Sequence, residues 1–303
     1  MRLHKLALFA ALFAAISLAH LRSASAELIY ALTTQNDIAI VNSSDPSILL
    51  DGGAIRGLPA GSNLEAIDFR PATGDIYLLD DRENVFTLNP TTFDATLVGT
   101  YDPRVPGVSF AFDFNPAFMS GQFARIITDA NDNRVISGDT GQYLLPVEKT
   151  DVFYAVGDPN EGEDPNIAGI GYTNSLPGAT STQQYGIDSD LGVLVTVANN
   201  AGTLVTVGSL GVSPLTNELG LDISGDTGIA YANLQSGPNS MLYTVNLGTG
   251  AASSLGTFIS GDLIRDLTVI PRQFVPDEFI PEPASLTMFA LAACGLGLRR
   301  RKA

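Results

Sequence analysis

The chain has 303 residues, 45% of them hydrophobic and only 16% charged, with 16 Lys plus Arg against 32 Asp plus Glu. Its two histidines, His4 and His20, fall in the first 26 residues and its one cysteine, Cys294, in the last ten. If both ends are processing segments, the remainder has neither residue type. That excludes Ser-His-Asp and Cys-His catalysis, His or Cys zinc sites, disulfides and thiol redox chemistry there.

The N-terminus has the layout of a secretory signal peptide. Arg2 and Lys5 make a positive start, Leu6 to Ala19 is almost wholly apolar, and Ala24-Ser25-Ala26 is a small-x-small cleavage site. Cleavage there by signal peptidase makes Glu27 the expected mature N-terminus. The apolar run is too short to span a bilayer comfortably as an uncleaved anchor.

From 27 to 271 the chain consists of short runs rich in Val, Ile, Leu, Tyr and Thr, broken by Gly, Pro, Asn and Asp. That pattern predicts an all-β domain. The runs repeat. Copies begin at Leu64, Ser109, Ile167, Glu218 and Leu263, at intervals of 45, 58, 51 and 45 residues. In the first, Asp68-Phe69-Arg70 ends one strand, Pro71-Ala72-Thr73-Gly74 turns the chain, and Ile76 to Leu79 returns. About four strands per 45 residues matches a propeller blade. The segment after Glu27 resembles the second and third strands of a blade that lacks its first, and 263–270 is a first strand without followers. Joining them closes a ring and protects the sheet edges. The expectation is a β-propeller of about five four-stranded blades, with a sixth open because of the 58-residue interval. A β-sandwich is the alternative.

The same residues resemble an uncharacterised bacterial family of secreted, propeller-like domains of unknown function. Asp68-Phe69-Arg70-Pro71-Ala72-Thr73-Gly74 and Asp113-Phe114-Asn115-Pro116 carry the likeness most strongly. Asn133-Arg134, Tyr172-Thr173-Asn174-Ser175, Gly202-Thr203-Leu204 and Leu221-Asp222-Ile223 add to it. The likeness implies secretion and a fold, and it does not specify an activity.

Asp68, Asp113, Asp222 and Asp266 occupy matching places in four repeats, and Gly171 takes the place in the third. On innermost strands they would face one end of the central channel. Such carboxylates repel unless a cation sits among them or each is individually paired. Two readings follow: a Ca2+ or cationic-ligand site at the channel mouth, or acids bound to their own hairpin turns. Asp129 to Asn133 alternates oxygen ligands but has Arg134 and Thr140 where a calcium loop needs Gly and Glu, so a polar turn is expected. The loop Gly157–Asn166 holds Asp158, Glu161, Glu163 and Asp164, which reads as solvated or as a weak Ca2+ site. No cofactor other than Ca2+ is suggested. No spacing singles out the carboxylate pair a glycosidase needs, and Tyr77, Tyr172, Tyr185 and Tyr231 read as packing residues.

At the C-terminus, Pro281-Glu282-Pro283 precedes an apolar segment from Ala284 to Leu298 and then Arg299, Arg300, Arg301 and Lys302. As a helix that segment reaches only about 22 Å against a hydrocarbon core of about 30 Å, which suits temporary anchoring in the inner membrane. This tail resembles the PEP-CTERM sorting signal of Gram-negative bacteria that make exopolysaccharide. The likeness implies removal by an exosortase and delivery to the cell surface, outer membrane or matrix. Residues 27–283 then carry 9 basic and 32 acidic groups, a net charge of −23. That charge excludes nucleic-acid binding. The expected organisation is signal peptide 1–26, propeller 27–271, linker 272–280 and sorting tail 281–303. The expected function is a non-catalytic binding or structural module whose partner is exopolysaccharide or a surface protein. A carboxylate-based glycan-active enzyme is the alternative.

Overall fold

The computed structural model describes residues 26–102, 106–144, 150–213, 215–258, 263–276 and 279. Ala24 and the sorting residues 281–283 and 299–301 therefore lie outside the described residues, as does nearly all of the signal and tail segments. Among the described residues no helix is long and apolar enough to cross a membrane.

Twenty-one strands among the described residues form five sheets. Blade 1 contains β1 (Leu28–Thr33), β2 (Asp37–Asn42) and β3 (Asp45–Ala54). Blade 2 contains β4 (Leu64–Arg70), β5 (Asp75–Asp80), β6 (Asn84–Leu88) and β7 (Ala95–Thr100). Blade 3 contains β8 (Phe110–Phe114), β9 (Phe123–Thr128), β10 (Asp132–Ser137) and β11 (Thr150–Asp151). After the short β12 (Phe153–Tyr154), blade 4 contains β13 (Ile167–Tyr172), β14 (Gln184–Asp188), β15 (Val193–Ala198) and β16 (Thr203–Ser209). Blade 5 contains β17 (Gly220–Ile223), β18 (Ala230–Gln235), β19 (Ser240–Val245) and β20 (Ala252–Thr257). The last strand, β21 (Ile264–Ile270), completes blade 1 in the order β21-β1-β2-β3. The ring is thus a five-bladed propeller closed by both ends of the domain. The closing pair is antiparallel, with Tyr30 opposite Thr268 and Leu28 opposite Ile270.

Among the described residues, the long interval between the second and third repeats holds no sixth blade. It holds β12, which crosses to blade 4 and pairs in parallel with the outermost strand there, Phe153 opposite Thr203. Blade 4 therefore has five strands.

Burial follows position in the blade. All six residues of β1, and all of β8, β9, β13, β17 and β18, are buried, because inner strands are covered by a neighbouring blade on each face. The outer strands β3 and β20 are mostly exposed, and β7 is half exposed. The core consequently lies between blades: Leu78, Phe86 and Phe69 of blade 2 pack with Tyr30, Leu32 and Ile40 of blade 1, and Tyr77 of blade 2 with Phe112 and Phe114 of blade 3. The turn after β4 forms as its residues dictate, with Gly74 donating its N–H to the Arg70 carbonyl at φ +85°. Gly74 is also where the chain returns: a Cβ there would come within 2.6 Å of the Phe274 ring. Phe274 stacks at 5.0 Å on Phe69, and Val275 and Phe279 pack on the same core. The described part of the expected linker 272–280 is thus docked on the propeller.

Candidate functional site

The five innermost strands are β4, β8, β13, β17 and β21, and each lies against the next around the axis. In a propeller these strands do not pair with one another by backbone ladders, so their N–H groups need other acceptors. The carboxylates supply them. Asp68 accepts from Phe114 N of the next blade at 2.7 Å, Asp113 from Tyr172 N at 3.3 Å, Asp222 from Val269 N at 2.6 Å, and Asp266 from Ile67 N at 2.9 Å. Each acid therefore ties its blade to the following one. Bonding to the acid's own hairpin, one of the two expected readings, is not what occurs. The short-range donors are the adjacent N–H groups of Ile223 at 2.6 Å and Leu267 at 2.8 Å.

The register of β21 differs from expectation. The place matching Asp68, Asp113 and Asp222 belongs to Thr268, whose hydroxyl oxygen accepts from Phe69 N at 3.0 Å. Asp266 lies two residues earlier, one layer along the axis. Gly171 does fill the matching place in the third repeat. With no side chain from Gly171, Ile223 N is served by Asp222 itself.

Asp68, Asp113 and Asp222 each offer a carboxylate oxygen, and these three atoms all lie within 4.8 Å of one another. All three residues are buried. Burial pushes the carboxyls of Asp68 and Asp113 well above the usual range, and the neighbouring charges, Asp222 on Asp68 and Asp68 on Asp113, push further. Burial raises Asp222 and Asp266 as well, against the N–H donors that favour their ionised forms. The Thr268 hydroxyl sits 2.9 Å from Asp222 and 3.2 Å from Asp68. Asp113 Oδ1 is buried without any hydrogen-bond partner.

The opposite ends of the innermost strands form a channel mouth that the sequence pattern did not single out. Glu65, Ser109, Ala168, Glu218 and Arg265 line a cavity of about 30 Å³. Arg265 bridges both acids, at 2.8 Å from Glu65 and 3.1 Å from Glu218. Burial raises the Glu65 carboxyl to about 7, because it outweighs the pull of an arginine that Glu218 also shares.

A second missed feature is the cleft between blades 3 and 4, of about 100 Å³. Its floor is a hydrogen-bonded network. Arg125 donates to Tyr172 Oη at 3.1 Å, to Asn133 at 2.6 Å and to Asn200 at 2.8 Å, and Tyr172 donates to Asn199 at 2.6 Å. Its rim carries Phe118, 41% exposed and packed on Phe123 at 5.4 Å. Asn199 also lines an adjacent groove of about 240 Å³ with Thr182, Gln183, Gln184 and Thr196. There the Gln184 side chain is wholly buried, and neither end of its amide has a partner.

The loop acids stay apart from the axis. Asp158 accepts from the Thr206 N–H and hydroxyl of the outermost strand, both at 2.7 Å. Glu161 accepts from Gly157 N at 2.7 Å, Asp164 from the Asn131 amide at 2.6 Å, and Glu163 is exposed. Asp129 to Asn133 forms the expected polar turn, with Asn131 at φ +61° and Asp132 paired to Arg134 at 2.9 Å. Glu27 is buried in blade 1, where Tyr231 donates to it at 2.8 Å. Tyr77, Tyr172 and Tyr231 are buried packing residues whose hydroxyls bond between blades, and Tyr185 is half-buried.

Residues 27–268 match the family model described as "Domain of unknown function (DUF4394)", and the chain belongs to that family. A comparison with curated proteins finds no sequence match. Solved structures of similar shape include one titled "Kuenenia stuttgartiensis Hydrazine Synthase", at 14% identity and TM-score 0.39, covering 70% of this chain and 53% of that one. A nidogen/laminin complex chain matches at 12% identity and TM-score 0.46, covering 81% and 98%. A chain titled "YCF48 bound to D1 peptide" matches at 10% identity and TM-score 0.38, covering 77% and 63%. This chain thus spans about half the length of the hydrazine synthase chain.

Proposed function

We propose that this family member is an exported, non-catalytic binding module, sorted to the cell surface or the exopolysaccharide matrix, that holds a neutral stretch of glycan across the junction of blades 3 and 4. The observation that carries the reading is that cleft: one exposed aromatic ring, Phe118, above a floor of amides and a guanidinium held in place by one another. Sugar recognition uses an apolar face against an aromatic ring and fixed donors and acceptors against hydroxyls. The neighbouring groove extends the surface, since Thr182, Gln183, Thr196 and Asn199 line it with further hydroxyls and amides. The net charge of −23 over residues 27–283 favours a neutral over an acidic polymer segment, unless divalent cations bridge the two.

The test is cosedimentation of the protein with the producing cell's own exopolysaccharide, in calcium and in chelator. Saturable pelleting supports the reading, and calcium dependence adds cation bridging to it. Pelleting no greater than that of an unrelated acidic protein contradicts it. Release of soluble sugar during the incubation, abolished by a single Asp→Asn change, would favour the glycan-active enzyme instead.

A further inference from the structure

We infer that Asp68, Asp113 and Asp222 together hold one hard divalent cation, of the class to which calcium belongs, on the axis of the propeller. Three observations converge on it. The first is distance. Three atoms no more than 4.8 Å apart always share a point within 4.8/√3, about 2.8 Å, of each, and calcium–oxygen bonds run about 2.3–2.6 Å. Shifts of a few tenths of an ångström complete the fit.

The second is the uneven hydrogen bonding of the three acids. Asp222 receives three donors, Val269 N, Ile223 N and the Thr268 hydroxyl. Asp68 receives Phe114 N and lies 3.2 Å from the same hydroxyl, whose one proton points to the nearer Asp222. Asp113 receives only the long 3.3 Å contact from Tyr172 N, and its Oδ1, in a residue 98% buried, faces no donor. Buried carboxylate oxygens are almost always satisfied, and an orphan beside two further carboxylates is what a metal ligand looks like without its metal.

The third is the whereabouts of the positive charge. Arg70 is turned outward to Asp139 at 2.7 Å and to the Gly121 carbonyl. Arg125 is engaged with Tyr172, Asn133 and Asn200, and Arg265 with Glu65 and Glu218. None of these guanidiniums serves the three axial acids. The donor set consists of oxygen alone, with Thr268 Oγ1 beside it, and such a set selects calcium or magnesium over transition metals. The cation would join blades 2, 3 and 5 at one point. This inference does not rest on the glycan reading: its ligands are the three axial acids, whereas Phe118, Arg125, Asn199 and Asn200 line the cleft.

The experiment uses full-length protein stripped on a chelating resin and titrated with CaCl2, and separately with MgCl2, by calorimetry and by thermal unfolding at pH 7.5. The expected result is one site per chain and a melting temperature raised by roughly 5–10 °C at a hundredfold excess of calcium over Kd. Asp113→Asn keeps an acceptor for Tyr172 N and removes the charge. It should weaken calcium binding at least tenfold, while its melting temperature in chelator equals or exceeds that of the wild type. Asp68→Asn provides the same reading by a second route. Identical melting of the wild type in calcium and in chelator, with no binding heat, overturns the inference. So does calcium binding that both substitutions leave unchanged, which would move the ion to the Gly157–Asn166 loop.

Discussion

Replacing Glu65 by Gln tests the electrostatics of the channel mouth. Its carboxyl is half-buried, 2.8 Å from an arginine that also serves Glu218, and burial holds its pKa at about 7 instead of 4.5. A group whose pKa is raised on folding binds its proton more tightly in the folded state. Its favourable contribution is complete below about pH 4.5 and is lost as pH rises through 7. The interval from 4.5 to about 7, at about 1.36 kcal/mol per pH unit, sets a ceiling of about 3.4 kcal/mol. Gln is isosteric, can accept from Arg265 and does not titrate. Urea unfolding from pH 4.5 to 8 should therefore show the stability difference, variant minus wild type, rising by about 1–3 kcal/mol across that range. A difference that stays constant with pH, or moves in favour of the wild type as pH rises, would refute the assignment of a raised pKa to Glu65.

Other expectations follow from single contacts. A Cβ on Gly220 would overlap Asp266 Oδ1, so Gly220→Ala should displace the acid from Ile67 N and cost about 2 kcal/mol or more, read as a lowered melting temperature. A variant that melts with the wild type would contradict the packing of β17 against β21. Tyr77→Phe removes the hydroxyl that donates to the Gly138 carbonyl at 2.9 Å and accepts from Arg70 at 3.1 Å; denaturant unfolding should show a loss of about 1–3 kcal/mol. Phe274→Ala uncovers Phe69 and should lower stability by about 1–3 kcal/mol. If the segment after β21 were an undocked linker, that change would be silent.

Much of the ring was legible because blades repeat. Five first strands, the turn Pro71 to Gly74 and the split first blade all follow from local pattern, and the structure has each of them. What was not legible depends on contacts across the axis. Asp266-Leu267 looks locally like Asp222-Ile223, and a shift of two residues leaves every side chain of β21 on its original face. Hydrophobic alternation therefore cannot tell Asp266 from Thr268 as the partner of Asp222, whereas Phe69 N and Val269 N settle it. Similarly, β12 has too little sequence to declare which blade it joins, and it crosses to the next one. Glu65, Glu218 and Arg265 come from three blades, and the cleft residues Phe118, Arg125, Tyr172 and Asn199 from two. No spacing along the chain connects them. The Arg125 network leaves a trace only in being an arginine on a strand, Phe123–Thr128, that is otherwise apolar but for its final threonine.

The central claim, that the blade 3–blade 4 cleft is a polymer-binding surface, is tested most directly by one comparison. Binding isotherms on the native exopolysaccharide should be measured side by side for the wild type and for Phe118→Ala combined with Asn200→Ala. Phe118 and Asn200 are exposed, but Asn200 accepts from the buried Arg125, so the double variant should lose about 1–3 kcal/mol and its fold is checked by thermal unfolding beside the isotherms. Loss of a stacking ring and a fixed amide should weaken binding at least tenfold, since tenfold corresponds to about 1.4 kcal/mol. Saturable wild-type binding reduced in that way is the result expected. Equal binding by both proteins would contradict the account and move the ligand to another face of the ring.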